Sequence, residues 1–138
     1  MRKNKVLIVD DDKEFLEELL ETLRLHGYDA MGVHDSTAVL GLVRESLPDI
    51  ILLDLKMDKM SGFQVAINLR QSPDLAEVPI IAMTGYFAGD HHLPLLNVCG
   101  IRTCLSKPFK PEDVITQIKT QIAKDATTEP SGNNGYIG

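Results

Sequence analysis

Ile50-Ile51-Leu52-Leu53-Asp54 is a run of four aliphatic residues closed by a carboxylate. A strand with one face in water alternates apolar and polar residues. An unbroken aliphatic run belongs to a strand covered on both faces, which is the condition of a parallel sheet. The same arrangement occurs upstream, where Val6-Leu7-Ile8-Val9 runs into Asp10-Asp11-Asp12, and downstream, where Pro79-Ile80-Ile81-Ala82-Met83 ends at Thr84. A weaker strand is expected at Tyr28 to Val33, and a fifth at Ile101 to Leu105, followed by Ser106-Lys107-Pro108.

Helical spacing fills the intervals. Phe15, Leu16, Leu19, Leu20 and Leu23 recur on one face, with Glu14, Glu17, Glu18 and Glu21 on the other and Gly27 as a stop. Asp35 or Ser36 can cap a second helix over Ala38 to Leu47, which Pro48 closes. Phe63, Val65, Ala66, Ile67 and Leu69 indicate a third helix. Residues 86 to 99 are poorly patterned, and Gly89 and Pro94 weaken any helix there, so a short or irregular one is expected. Val114, Ile115, Ile118 and Ile122 make a final amphipathic helix. Strands thus alternate with helices five times, which predicts βαβ units and a doubly wound parallel sheet. From about Asp125 the composition turns polar without an apolar period, so the expected organisation is one domain over 1–124 and a disordered tail or linker over 125–138.

Composition agrees with one soluble domain: 138 residues, 43% apolar and 25% charged. Twenty acidic against 14 basic residues give a net charge of −6, which argues against a nucleic-acid or anionic-membrane surface. Cys99 and Cys104 are spaced for neither a disulfide framework nor a metal motif and read as small hydrophobes in a reducing compartment. Val6 to Val9 is too short for a signal-peptide core and nothing approaches a transmembrane span, so a cytoplasmic location is expected.

In an open α/β sheet, ligands bind outside the carboxyl ends of the strands. Here those ends carry Asp10, Asp11 and Asp12, then Asp54, Thr84 and Lys107. Clustered carboxylates raise one another's pKa unless a cation neutralises them, and a hard divalent cation such as Mg2+ suits an all-oxygen set. Lysine and a hydroxyl suit phosphoryl oxygens, and one carboxylate would then be the nucleophile of a phosphoryl transfer. Asp12 reads as a helix cap only, and the adjacent His91-His92 pair, with no third ligand, reads as solvent-facing.

Val9-Asp10-Asp11, Leu53-Asp54 with Gly62 downstream, Met83-Thr84-Gly85 and Lys107-Pro108-Phe109, in this order and each at a strand end, resemble the receiver domain of two-component response regulators over roughly residues 4 to 124. The resemblance implies a flavodoxin-like five-stranded parallel sheet of order 2-1-3-4-5, with helices on both faces. It implies a phosphoacceptor at Asp54. It implies a Mg2+ site (Mn2+ could substitute) at Asp10, Asp11, Asp54 and the backbone carbonyl of Lys56, with Asp11 binding directly and Asp10 partly through water. Thr84 and Lys107 would contact the phosphoryl group, and the Lys107-Pro108 bond would be cis. The implied donor is a phosphohistidine on a sensor histidine kinase or histidine phosphotransfer protein. Output would pass to a downstream protein target or a missing output domain, with no direct nucleic-acid or membrane contact and with homodimerisation open. Such a domain is not an enzyme in the ordinary sense, although phosphotransfer and dephosphorylation are self-catalysed. Lys56 and Tyr86, two positions after Asp54 and Thr84, are expected to tune the phosphoryl lifetime.

The chain departs from the family's pattern in three places. Asp58 stands where proline is usual, Cys104 stands where Tyr or Phe is common, and Pro94 falls where a helix is expected. Two alternatives compete. A receiver-like binding module would never take phosphate. A haloacid-dehalogenase-type phosphatase would use Asp10-x-Asp12, but that family places a further acidic strand end after its lysine, and here Asp54 comes first.

Overall fold

The computed structural model describes residues 2–85, 93–101 and 103–127. Its elements are β1 (Lys5–Val9), α1 (Lys13–Leu25), β2 (Asp29–Val33), a 3₁₀ turn (Ser36–Ala38), α2 (Val39–Ser46), β3 (Ile50–Asp54), α3 (Gly62–Gln71), β4 (Ile80–Thr84), α4 (Leu93–Val98), β5 (Thr103–Ser106) and α5 (Pro111–Thr127). The five strands form one parallel sheet in the order β2-β1-β3-β4-β5. The flavodoxin-like topology expected from the sequence is therefore the one adopted.

Successive side chains of a strand point to opposite faces. Leu7, Val9, Ile51, Leu53 and Ala82 consequently join one core cluster, with Val39 and Val43 of α2, Val65, Ala66 and Leu69 of α3, and Leu96 of α4. Val6, Ile8, Ile50, Leu52, Ile81 and Met83 join the other, with Leu16, Leu19 and Leu23 of α1 and Val114, Ile115 and Ile118 of α5. Each aliphatic run divides between two cores, and for that reason none alternates with polar residues. Full burial of one such side chain stabilises by about 1.5–3 kcal/mol, so the central strands carry much of the folding energy.

Local chemistry sets the helix ends. Asp12 caps α1, its Oδ1 accepting from the Phe15 N–H at 3.2 Å. Asp35, not Ser36, takes the cap after β2, and it caps the 3₁₀ turn through the Thr37 N–H at 3.0 Å. The expected helix from Ala38 to Leu47 is thus shorter, running from Val39 to Ser46. Leu47 stands in the left-handed region (φ 50°) with its N–H on the Val43 carbonyl. The following proline disfavours the right-handed helical region at Leu47. The last strand also lies later than the sequence suggested, at Thr103–Ser106 rather than from Ile101. The Ile101 N–H instead closes the turn after α4 on the Leu96 carbonyl. The segment expected to be short or irregular contains the six-residue α4, while Tyr86, Gly89, His91 and His92 lie outside the described residues. α5 continues to Thr127, past Asp125 where the composition changes.

Arg70, near the end of α3, organises the sheet edge opposite the strands' carboxyl ends. Its guanidinium donates to the carbonyls of Cys99 (3.0 Å), Ala76 (2.9 Å), Val78 (2.7 Å) and Gly100 (3.0 Å). The loop entering β4 and the turn leaving α4 are thereby fastened to one side chain. Both cysteines are free; Cys99 is buried and Cys104 half-buried, and burial raises both thiol pKa values. No helix among the described residues is long and apolar enough to cross a membrane.

Candidate functional site

Parallel strands all deliver their C-terminal residues to the same edge of the sheet. β1 hands over Asp10, whose N–H still pairs with the Val33 carbonyl at 3.1 Å. β3 ends in Asp54, β4 in Thr84, and β5 leads to Lys107, whose N–H donates to the Thr84 carbonyl at 2.7 Å. The Lys107-Pro108 peptide is cis, as the resemblance implied.

One oxygen from each of Asp10, Asp11 and Asp54 falls within a 4.8 Å group. Asp10 is 0% exposed and Asp54 5%. Buried like charges are costly unless countered. Lys107 supplies the counter-charge, its Nζ 2.6 Å from Asp10 Oδ2 and 3.5 Å from Asp54 Oδ1. Asp10 Oδ1 also accepts the Asp12 N–H at 3.0 Å. One ammonium does not neutralise three carboxylates, and the Asp54 carboxyl is pushed up to about 6. Burial is the main cause. The Asp10 charge adds to it, Lys107 opposes it, and Asp11 contributes a smaller push upward. An all-oxygen set carrying excess negative charge fits a hard divalent cation.

Of the six residues singled out from the sequence, Asp10, Asp11, Asp54 and Lys107 are brought together directly. Thr84 is tied to Lys107 through its carbonyl and is itself buried. Lys56 is exposed, two residues past Asp54 in the loop that leads to α3.

The β3–α3 loop is fastened by consecutive residues. The Asp58 N–H donates to Asp11 Oδ2 at 3.0 Å, Lys59 Nζ reaches Asp35 Oδ2 at 3.4 Å, and the Met60 N–H donates to Ser36 Oγ at 3.0 Å. Proline at position 58 could not make the first of these bonds. The bond is made by the Asp58 amide, not by its carboxylate. Gly62, at the start of α3, lies so near β3 that a Cβ there would sit 2.2 Å from the Asp54 carbonyl oxygen.

Comparison with known proteins agrees with this geometry. A family model described as "Response regulator receiver domain" matches residues 6–119. The DNA-binding response regulator MtrA of Mycobacterium tuberculosis is 32% identical over 123 residues, covering 89% of this chain and 52% of that protein. The transcriptional regulatory protein CpxR of Escherichia coli is 30% identical over 131 residues, covering 95% of this chain and 54% of that one. The chain spans about half the length of the curated relatives it matches. Among solved structures, the chemotaxis protein CheY4 of Vibrio cholerae superposes with a TM-score of 0.82 at 25% identity, covering 87% of this chain and 99% of that one.

Proposed function

Because the chain belongs to the response regulator receiver family of two-component signalling, we propose that Asp54 is its phosphoacceptor and that Asp10, Asp11, Thr84 and Lys107 serve the transfer. The observation that carries this reading is the convergence of three carboxylates and one ammonium at a single sheet edge, with Asp54 among the least exposed of its polar residues.

A carboxylate oxygen of Asp54 attacks phosphorus as the phosphorus–nitrogen bond of a donor phosphohistidine breaks. An acyl phosphate forms on Asp54 and the imidazole leaves. With its carboxyl at about 6, Asp54 is mostly ionised at neutral pH and available as the nucleophile. Lys107, already 3.5 Å from Asp54 Oδ1, pairs with a phosphoryl oxygen. The Thr84 hydroxyl donates to another and moves inward as it does so. Mg2+, or Mn2+ in its place, would be held by Asp10, Asp11, Asp54 and the Lys56 carbonyl and supplies charge neutralisation of the phosphoryl oxygens. Water later attacks phosphorus, the phosphorus–oxygen bond to Asp54 breaks, and inorganic phosphate leaves the restored carboxylate, with Lys56 and Tyr86 tuning that lifetime.

The donor is a sensor histidine kinase or a histidine phosphotransfer protein, and the readout is a protein-interaction surface. MtrA is named as DNA-binding over a chain about twice as long. The net charge of −6 suits this domain poorly to DNA, so a DNA-binding output belongs to further chain or to a partner. Residues 1–124 are the receiver unit in this reading, with 125–138 a polar extension.

The metal half of the proposal has a direct test. Mg2+ at about ten times its dissociation constant should stabilise the fold by about 1.4 kcal/mol, or roughly 4 °C in Tm. Asp11→Asn, at a partly exposed ligand, should fold normally and lose most of that shift. A native chain whose Tm ignores Mg2+ would overturn the metal assignment.

A further inference from the structure

Lys107 has a third partner that the phosphoryl chemistry does not use. Its Nζ lies 4.1 Å from the centroid of the Phe15 ring. That ring is held from two sides. Asp12 fixes the Phe15 backbone through the α1 cap, and Phe109 meets the ring edge to face at 5.8 Å and 83°. Phe15 also packs on the core cluster beneath α1 and α5. The Lys107 side chain is only 19% exposed, so the ring stands where water would otherwise solvate the ammonium.

We propose that Phe15 is a positioning residue for Lys107, its ring face holding the ammonium over Asp54 by a cation–π contact. The inference rests on the phosphoacceptor reading and adds a residue to it. In that reading Asp10 serves a divalent cation as well as Lys107, which it already holds at 2.6 Å. A cation held by Asp10 would draw on the same carboxylate and weaken its hold on the ammonium, so the ring and the anion on Asp54 would carry more of the positioning. The ring therefore contributes more to the loaded site than to the empty one, and only such a difference can alter affinity. A lysine on a four-carbon stem, released from Asp10 without a ring against it, would spread over many rotamers.

The test separates ring electrostatics from ring shape. Phenylalanine with one, two or three ring fluorines, placed at position 15, keeps the volume while progressively weakening the negative ring face. The probe is beryllofluoride with Mg2+, which needs no partner protein. Trifluorination should weaken its binding about three- to fivefold, with the intermediate rings in graded order. Phe15→Leu, which keeps apolar packing, should weaken it at least as much. In the metal-free chain, the Lys107 ε-methylene protons should show a ring-current shift that Phe15→Leu abolishes.

Equal beryllofluoride affinity across the fluorinated series overturns the inference while leaving the phosphoacceptor reading intact. So does a Lys107 resonance without the ring-current shift. A native chain that binds no beryllofluoride overturns the phosphoacceptor reading and this inference with it.

Discussion

Replacing Gly62 by alanine is expected to destabilise the chain by about 3 kcal/mol or more, measured by chemical denaturation. Helix propensity alone argues the opposite: alanine in place of a helical glycine normally stabilises by about 0.5–1 kcal/mol. The contacts decide the sign. A Cβ at Gly62 would lie 2.2 Å from the Asp54 carbonyl oxygen, 2.8 Å from Leu55 Cα and 3.0 Å from the Asp54 carbonyl carbon. All three are backbone atoms, so no rotamer change relieves the clash. The Gly62 N–H donates to the Leu55 carbonyl at 3.0 Å, and Ser61 Oγ caps α3 through the Gln64 N–H. The methyl group must therefore push α3 and the end of β3 apart, displacing Asp54 itself. The variant should lose its Mg2+ response along with its stability. A Gly62→Ala chain as stable as the native one would mean that this approach is looser than described.

Much of this arrangement is legible in the sequence because parallel sheets write themselves in aliphatic runs. Ile50 to Leu53 are each 0% exposed, and the carboxylate that ends the run has only one place to be. Asp10 and Lys107 meet across 97 positions because each follows a strand of the same sheet. What the sequence hides is contact made by groups with an ordinary local explanation. Phe15 fits the apolar face of α1, and nothing in the spacing tells that its ring also faces an ammonium. Arg70 reads as a polar residue at a helix end, yet it donates to four carbonyls from two other segments. The absence of proline at 58 shows that an N–H is available, but nothing in the spacing names Asp11, 47 positions away, as its acceptor. At Leu47 the apolar spacing continues while the backbone does not, since proline acts on the residue before it.

Asp54→Asn is expected to make the metal-free chain more stable at pH 7.5, by about 2 kcal/mol, even as it abolishes phosphorylation. The Asp54 carboxyl lies above its ordinary range, at about 6, chiefly because it is buried and because Asp10 is near. The folded state then holds this proton more tightly than the unfolded state does. Its favourable contribution is complete below about pH 3.8 and is lost as the pH rises through about 6. Above that, the buried anion costs up to about 3 kcal/mol at 1.36 kcal/mol per pKa unit. Asparagine has the same shape and no charge. The stability difference should therefore shrink toward zero as the pH falls to about 4. Saturating Mg2+ should narrow it from the other side, by stabilising the native chain more than the variant. Denaturation curves across this pH range test the point. A less stable variant at pH 7.5 would mean that Lys107 more than compensates the carboxylate.

The central claim is that Asp54 accepts a phosphoryl group, and intact mass tests it most directly. The native chain, incubated with acetyl phosphate and Mg2+, should gain one phosphoryl group. Borohydride reduction followed by peptide mapping should place it at Asp54. Asp54→Asn, or the native chain without Mg2+, should gain none. An adduct that survives in Asp54→Asn would contradict the assignment. So would a native chain that stays unmodified with both acetyl phosphate and phosphoramidate, and the domain would then be a receiver-like module that binds without taking phosphate.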